Sequence, residues 1–408
     1  MNPLWKFLTS LRLCVAMLAL GLFVVFFGTL AQGHFGLYMT QARFFQSFFI
    51  DLQALYVGFH TFVDMIFQGF GHPLAPLSTS AVLSIPRVPI FPGGYLIGGV
   101  LIINLFCAHF RYYQPGTRKI GIAMIHLGIV LLLLGQLFTD LLSKESFMHL
   151  REGGSKNYSE STSQFELAVV DTTETNADKV ISIPGRVLAN GVPINHPGLS
   201  FSVSAKKYFA NSSGTNNEAA GLVQFKATGG FARNYWWQEL PRETSMKRRD
   251  IPSAHIELSS PTDGIQSFVV SGFFEEPQEF DFGGRSYQLS LRNIRYYKPF
   301  RLHLLDFQFD RYPGSETAKN FSSRVRLQQP GTGEDREVVI RMNEPLRYAG
   351  ETFYQADWDK EDERGTVLQV VRNPTWLTPY IACALVALGM LWQFLSHLIR
   401  FASKRAST

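Results

Sequence analysis

Cysteine is scarce in this chain, and its placement excludes several kinds of chemistry. The three cysteines are Cys14, Cys107 and Cys383, and each lies inside an apolar run in a different part of the sequence. No CxxC or CxxCH motif occurs, so a thioredoxin-like redox centre and covalent c-type haem on this chain are both excluded. The polar region 143–375 has no cysteine and is therefore predicted to fold without disulfides.

Motifs for hydrolysis and nucleotide binding are also missing. The sequence has no GxSxG, HExxH or P-loop pattern, and no catalytic residue is predicted. His196, His255 and His303 are too far apart in sequence to show metal-ligand spacing. Many Lys and Arg residues flank apolar runs, where basic residues orient helices in a bilayer, so the net charge of +5 does not indicate nucleic-acid binding.

Four apolar segments are long enough to cross a membrane, because a bilayer core needs about 20 apolar residues in helix. They lie at 13–30, within the N-terminal region 1–30, and at 93–110, 120–142 and 376–398. A signal peptide is the alternative for the first. Its apolar core is longer than the about 7–15 residues of such peptides, and no A-x-A site follows, so an uncleaved span is predicted.

Basic residues indicate how these spans are oriented. Clusters of Lys and Arg precede the first span, fill the turn 111–119 and occupy the tail 399–408. All three clusters fall on one side if the spans alternate, and the positive-inside rule makes that side the cytoplasm. We therefore predict a multi-pass protein of the bacterial inner membrane with both termini in the cytoplasm. Loop 31–92 and region 143–375 are then extracytoplasmic.

The two extracytoplasmic regions differ in character. Loop 31–92 is crowded with Phe at helical spacing, which predicts one or two amphipathic helices, lying in the membrane interface or packed on the other region. Region 143–375 contains about twelve alternating or β-branched runs between Gly, Pro, Asn and Asp turns, which predicts a β-sandwich-like domain. The predicted fold is therefore four transmembrane α-helices plus a large β-rich extracytoplasmic domain inserted between helices 3 and 4.

Glycines recur along two of the predicted spans. Gly94, Gly98 and Gly99 lie in the second. Gly121, Gly128 and Gly135 lie in the third. Small residues let helices approach closely, so these surfaces are predicted to pack against neighbouring helices, some of them in a partner subunit.

Two stretches of the predicted β domain carry a more specific pattern. One is RLHLLDFQFDRYPGSETAKNFSSRVRL at 301–327, and the other is MNEPLRYAGETFYQADWD at 342–359. Both resemble the ResB/CcsB family of system II cytochrome c biogenesis, which has a Tyr-Pro-Gly-Ser turn, an Asn-Phe-x-Ser strand and then Asn-x-Pro-Leu-Arg-Tyr-x-Gly-x-Thr-Phe-Tyr-Gln. The predicted layout also resembles that family, except that loop 31–92 is longer than expected. We interpret the motif residues as architectural rather than catalytic.

One ionisable side chain lies well inside the third predicted span. His126 is the only such group between Gly121 and Thr139. A polar group at that depth is costly and indicates a functional site, and a neutral imidazole is a good axial ligand for haem iron. A histidine that hydrogen-bonds to another helix or to a carbonyl group is the alternative. His109, at the cytoplasmic end of the second span, is a weaker candidate ligand, and His397 ranks below it.

The resemblance implies a function in which this chain is one part of a complex. It implies haem b in transit, held non-covalently between His126 and a transmembrane histidine of a ResC/CcsA-type membrane subunit. It also implies delivery to apocytochrome c, with a thiol-reducing thioredoxin-like protein and membrane lipid as further partners. The chain is then a non-catalytic subunit of a cytochrome c haem-lyase (synthetase) complex. The alternative is a membrane-anchored binding or scaffold protein with no cofactor.

Overall fold

The described residues form a helical unit and a β-rich unit. The structure is a computed structural model that describes residues 3–112, 119–174, 178–242, 249–314, 318–360 and 364–406. The helical unit covers Met1–Ser143 and Asn373–Thr408, and the β-rich unit covers Lys144–Glu243 and Arg248–Arg372. Most of the predicted cytoplasmic turn 111–119, and Ser315 of the Tyr-Pro-Gly-Ser turn, lie outside the described residues.

Four helices of the helical unit are long and apolar enough to cross a membrane, as predicted. The qualifying segments are Leu11–Phe45, Gly94–Arg111, Ile120–Leu142 and Thr378–Arg405. The first continues past residue 30 through a π-helical turn at Gln41–Phe45. The α-helices, in chain order, are α1 (Pro3–Leu8), α2 (Leu11–Thr40), α3 (Leu52–Gly69), α4 (Thr79–Leu83), α5 (Gly94–Tyr112), α6 (Ile120–Leu142), α7 (Gly185–Leu188) and α8 (Thr378–Ala406).

Segment 31–92 contains a helix that packs on the first apolar helix. α3 begins after Asp51, whose carboxylate accepts a hydrogen bond from the Ala54 amide and so caps the helix. Its buried face packs against α2 in a shared apolar core. Gly58 permits this close approach, because a Cβ atom there would lie 2.8 Å from the Phe27 carbonyl oxygen. The position of α3 relative to a membrane interface stays a prediction.

The glycines of α6 pack against α8. Gly121, Gly128 and Gly135 are all buried, and their seven-residue spacing places them on one face of the helix. Cβ atoms at Gly121 and Gly128 would lie 2.6 and 2.8 Å from the carbonyl oxygens of Gly389 and Ala382. This face of α6 is therefore used within the chain rather than being left for a partner subunit.

The β-rich unit is built on one large antiparallel sheet. Its strand order is β15-β14-β13-β4-β3-β18-β17-β16, with β12 paired to β13 and β5 paired to β4. A three-stranded sheet, β11-β10-β6, and a smaller one, β7-β9-β8, complete the unit, and β1 pairs with β2 in the helical unit. The strands are β1 (Phe49–Asp51), β2 (Pro89–Pro92), β3 (Lys144–Arg151), β4 (Ser155–Asp171), β5 (Lys179–Pro184), β6 (Ser202–Phe209), β7 (Ser212–Thr215), β8 (Val223–Gln224), β9 (Trp236–Glu239), β10 (Ser253–Ser260), β11 (Gly264–Ser271), β12 (Gln278–Phe282), β13 (Arg285–Arg311), β14 (Ala318–Gln329), β15 (Glu334–Arg341), β16 (Leu346–Tyr348), β17 (Glu351–Trp358) and β18 (Gly365–Arg372).

Strand β13 runs through both halves of this unit. The sequence patterns predict two strands here, but the structure forms one strand whose register with β4 shifts between Tyr297 and Leu302. Pro299 lies inside that shift and has no amide proton to donate, so the ladder is interrupted there while the chain stays extended. The first half of β13 packs with β4, β5, β6, β10 and β11 around one apolar core. Its second half packs with β3 and β14–β18 around another.

Candidate functional site

His126 lies on the face of α6 that is turned away from α8. It is six residues after the start of the helix, which is about 9 Å along the axis. Because an α-helix turns about 100° per residue, His126 lies roughly 140–160° around α6 from Gly121 and Gly128. Its imidazole is half-buried and has no hydrogen-bond partner among the described residues. The alternative role, a histidine that hydrogen-bonds to another helix or to a carbonyl group, therefore has no supporting contact among the described residues.

His109 lies at the same end of the paired helices α5 and α6 as His126. α5 and α6 are consecutive antiparallel neighbours, and His109 is near the end of α5 just as His126 is near the start of α6. The two imidazoles are near enough to interact electrostatically. The structure thus places the two strongest candidate haem ligands from the sequence, His126 and His109, at the same end of two neighbouring helices. His397, the third candidate, is exposed on α8 and hydrogen-bonds to Gln393, with 2.9 Å between Nε2 atoms.

The donor set of this histidine pair suits a haem iron better than a bare metal ion. No group of three or more His, Cys, Asp or Glu side chains within the described ranges is arranged to hold a metal ion. An axial site on haem needs only one imidazole from each side of the porphyrin ring. His126 can supply one such ligand from a half-exposed helix face, and a second can come from His109 or from another protein.

The two sequence stretches that carry the family pattern meet in the interior of the β-rich unit. Ser323, in the first stretch, donates a hydrogen bond to Gln355 Oε1 in the second at 2.6 Å. Gln355 Nε2 donates in turn to Thr366 Oγ1 at 2.7 Å. Ser323 is fully buried and Gln355 is buried, so this chain of polar groups joins β14, β17 and β18 away from water. The motif residues are placed to hold the sheet together, which agrees with their architectural interpretation.

Aromatic members of the second stretch complete the same core. Phe353 is fully buried and lies edge-on to Phe300 at 6.0 Å between ring centroids. Tyr348 also packs edge-on against Phe300, at 4.9 Å, and its hydroxyl donates to a carboxylate oxygen of Glu334 at 2.6 Å. That hydrogen bond lowers the pKa of the Glu334 carboxyl and raises the pKa of the Tyr348 phenol. The hairpin turn after Tyr348 contains Gly350, whose φ of 77° is a left-handed backbone conformation that glycine adopts more easily than other residues.

A cavity of about 620 Å³ opens where the second stretch ends. Residues from β3 and β4 form one side of it, and residues after Gln355 form the other. His149 lines this cavity, yet no sequence pattern singles it out. The available signal is weak: His149 lies between two buried residues of a strand, Met148 and Leu150, and must therefore point to the opposite face of the sheet.

Fold and site together define a class: a protein with four helices able to cross a membrane, a histidine pair in two of them, and one large β-rich unit. Residues 278–367 match the model of the ResB-like family. The chain therefore contains a ResB-like domain, and the resemblance predicted from the two stretches is confirmed. The match covers β12–β17 and part of β18, including both stretches and the Ser323–Gln355 contact.

Individual relatives extend this similarity. Protein NrfI of Wolinella succinogenes is 28% identical over 310 residues, which are 74% of this chain and 30% of that protein. Two proteins named cytochrome c biogenesis protein CcsB, from Synechococcus sp. strains CC9902 and CC9311, are 41% and 46% identical over 68 and 57 residues. Those segments are 17% and 14% of this chain, and 15% and 13% of the two proteins. The matched segments thus cover less than a third of the length of each of these three relatives.

Proposed function

We propose that this chain is a subunit of a system II cytochrome c maturation complex that helps deliver haem for attachment to apocytochrome c. The names of its CcsB relatives, its ResB-like domain and its four apolar helices support this assignment. Its bacterial relatives favour a location in the bacterial inner membrane, and the basic clusters favour an orientation with both termini in the cytoplasm and the β-rich unit outside. A ResC/CcsA-type membrane subunit is the expected partner.

The adjacency of His126 and His109 is the observation that carries the haem-delivery role. Both lie near the turn 111–119, which the basic residues assign to the cytoplasmic side. Haem that arrives from the cytoplasm would meet these imidazoles in the inner leaflet. A polar group without a partner is costly inside a membrane, and ligation of iron would satisfy a ring nitrogen of the half-buried His126 imidazole.

In this proposal haem b is cargo rather than a resident cofactor. The His126 imidazole holds the iron from one side, and a transmembrane histidine of the partner subunit holds it from the other. His109 is the weaker candidate for a haem ligand on this chain. The β-rich unit holds the apocytochrome or shields the reacting groups, while a thioredoxin-like protein keeps the two acceptor thiols reduced. We assign no catalytic residue to this chain.

The test compares two histidine variants in the complex co-expressed with its membrane partner. We expect His126→Ala to lower the Soret absorbance of the purified complex, through loss of the haem held at that residue, and to abolish covalent haem staining of c-type cytochromes. His397→Ala is the matched control, because it removes an exposed histidine from the same unit and should change neither reading. Adding imidazole to the growth medium should restore part of the pigment to His126→Ala, because a free imidazole can replace the missing ligand.

The alternative is an anchored scaffold without a cofactor, and the buried polar contacts of the family motif are compatible with it. A colourless wild-type complex, or normal cytochrome maturation after deletion of the gene, would favour that alternative. Full pigment in His126→Ala would remove the ligand role while leaving the family assignment in place.

A further inference from the structure

The cavity at the end of the second stretch is lined by charged side chains that can bind an anion and by a histidine that can bind a metal. It lies entirely within the β-rich unit, where β3 and β4 separate towards the turn that joins them. The two strands share one register pair, Phe147 with Glu160, and diverge beyond it. The ionisable residues lining the cavity are His149, Arg151, Lys156, Asp357, Asp359 and Lys360.

Four of these charges form two ion pairs, and one cation, Lys156, is left over. Arg151 is 2.9 Å from Asp359, and Lys360 is 3.6 Å from Asp357. Lys156 forms no ion pair with any described carboxylate, and its ammonium group lies 5.4 Å from the centre of the Tyr158 ring. Partial burial lowers the pKa of Lys156, while Glu160 counters that change. The lining therefore retains a net positive charge that suits a carboxylate.

His149 is the only histidine of that lining, and its ring is available for ligation. Like His126, it has no hydrogen-bond partner in the part of the chain that the structure describes. It lies between the buried residues Met148 and Leu150 of β3, so its side chain points away from the core and towards the cavity. Its strand is paired to β18 along its length, which fixes its position.

We propose that this cavity is a second haem-binding site, in which His149 ligates the iron and Lys156 binds a propionate group. An imidazole beside an unpaired ammonium group matches a planar ligand that carries a metal at its centre and carboxylates at its edge. The volume lies within the range of about 300–1,000 Å³ that is usual for small-molecule sites. The identity of the ligand rests on the proposed function, which makes haem the cargo. The site would hold haem outside the membrane, apart from His126.

The test uses the purified full chain in detergent, titrated with ferric protoporphyrin IX and followed by the Soret band. We expect His126→Ala to retain one haem per chain, and His126→Ala/His149→Ala to lose it with at least a hundredfold weaker binding. His126→Ala/His196→Ala is the matched control, because His196 lines a different cavity of the same unit. His126→Ala/His149→Met should keep the haem but shift its spectrum and raise its reduction potential, because a thioether replaces the imidazole.

The carboxylate contacts are tested with a second ligand. Lys156→Ala should weaken binding of ferric protoporphyrin IX about tenfold, the loss expected for one charge-assisted hydrogen bond. The same substitution should not change binding of the dimethyl ester of that haem, which lacks both negative charges. Equal losses for the acid and the ester would overturn the assignment of Lys156.

The outcomes separate this inference from the proposed function. If His126→Ala binds no haem, or if His149→Ala leaves stoichiometry, affinity and spectrum unchanged, the second site is refuted and the role of His126 is unaffected. If His149-dependent binding is found but cytochromes mature normally without the gene, the site stands and the proposed function fails. Protection of the cavity by an apocytochrome peptide instead of haem would also overturn the proposal.

Discussion

Replacing Gln355 with leucine should destabilise the β-rich unit by about 2–4 kcal/mol, because two buried hydroxyl groups would lose their partner. Gln355 accepts from Ser323 and donates to Thr366. Ser323 is 0% exposed and Thr366 is 2% exposed, so water cannot take over either contact. An unsatisfied buried polar group costs about 1–3 kcal/mol, and hydroxyl groups can rotate towards backbone acceptors, which favours the lower half of the sum.

The measurement is thermal unfolding of the full chain in detergent, followed by the sheet signal in circular dichroism. For a unit of this size, 1 kcal/mol corresponds to about 2–4 °C, so the midpoint should fall by about 5–15 °C. Gln308→Leu is the matched control, because Gln308 is exposed and, among the described residues, its side chain hydrogen-bonds only to the half-buried Asp306. Its effect should stay within about 0.5 kcal/mol.

A double-mutant cycle then tests the contact itself. Ser323→Ala combined with Gln355→Leu should be at least about 1 kcal/mol more stable than the sum of the single changes, because both partners are removed together. Additive effects, or a Gln355→Leu midpoint equal to that of Gln308→Leu, would refute the view that the two halves of the family motif are joined by this hydrogen bond.

Two further changes test the packing of each unit. Gly128→Leu should cost about 1–3 kcal/mol and loosen α6 from α8, measured as faster proteolysis in detergent, whereas Gly98→Leu, with open space around it, should have little effect. Lys298→Met should destabilise the β-rich unit by about 3 kcal/mol in thermal unfolding, because Lys298 Nζ lies 2.7 Å from Glu351 and is 3% exposed. Adding Glu351→Gln should recover part of that loss, and no recovery would argue against the pair.

The membrane helices were the part of the fold most open to prediction. A span must be apolar for about 20 residues, and the sequence meets that condition in four places. The end of the first was harder to predict, because α2 continues through the GHFGLYMT region even though Gly36 has non-helical backbone angles. Packing of α3 on α2 supplies the stabilisation that the local sequence does not show.

The presence of strands could also be predicted from the sequence, but their continuity and their arrangement in the sheet could not. Alternation along the chain identifies extended segments, yet it cannot show that β13 passes through Pro299 as one strand. It also cannot show that the sheet turns so that β15 approaches β16 and β17 around a second core. Both features depend on contacts between residues distant in sequence, which a single sequence does not reveal.

Of the candidate site residues, two could be predicted from the sequence and one could not. His126 was identifiable because an ionisable group inside an apolar helix is conspicuous, and His109 because it ends the neighbouring helix. Their proximity follows from the short connection between α5 and α6. His149 gave no such signal, because a histidine on the outer face of a strand is ordinary until a cavity is found beside it. That cavity forms only where the diverging ends of β3 and β4 face the end of β17.

The family motif and the cavity share strand β17, so stability and binding must be separated in any variant. Gln355 lies in the interior, and Asp357 and Asp359 follow it to line the cavity. The Arg151–Asp359 pair then links this segment back to β3. Loss of Gln355 should therefore reduce haem binding at His149 only at temperatures where the β-rich unit begins to unfold. Loss of binding far below that midpoint would mean that the motif sets the position of the cavity wall and does more than stabilise the core.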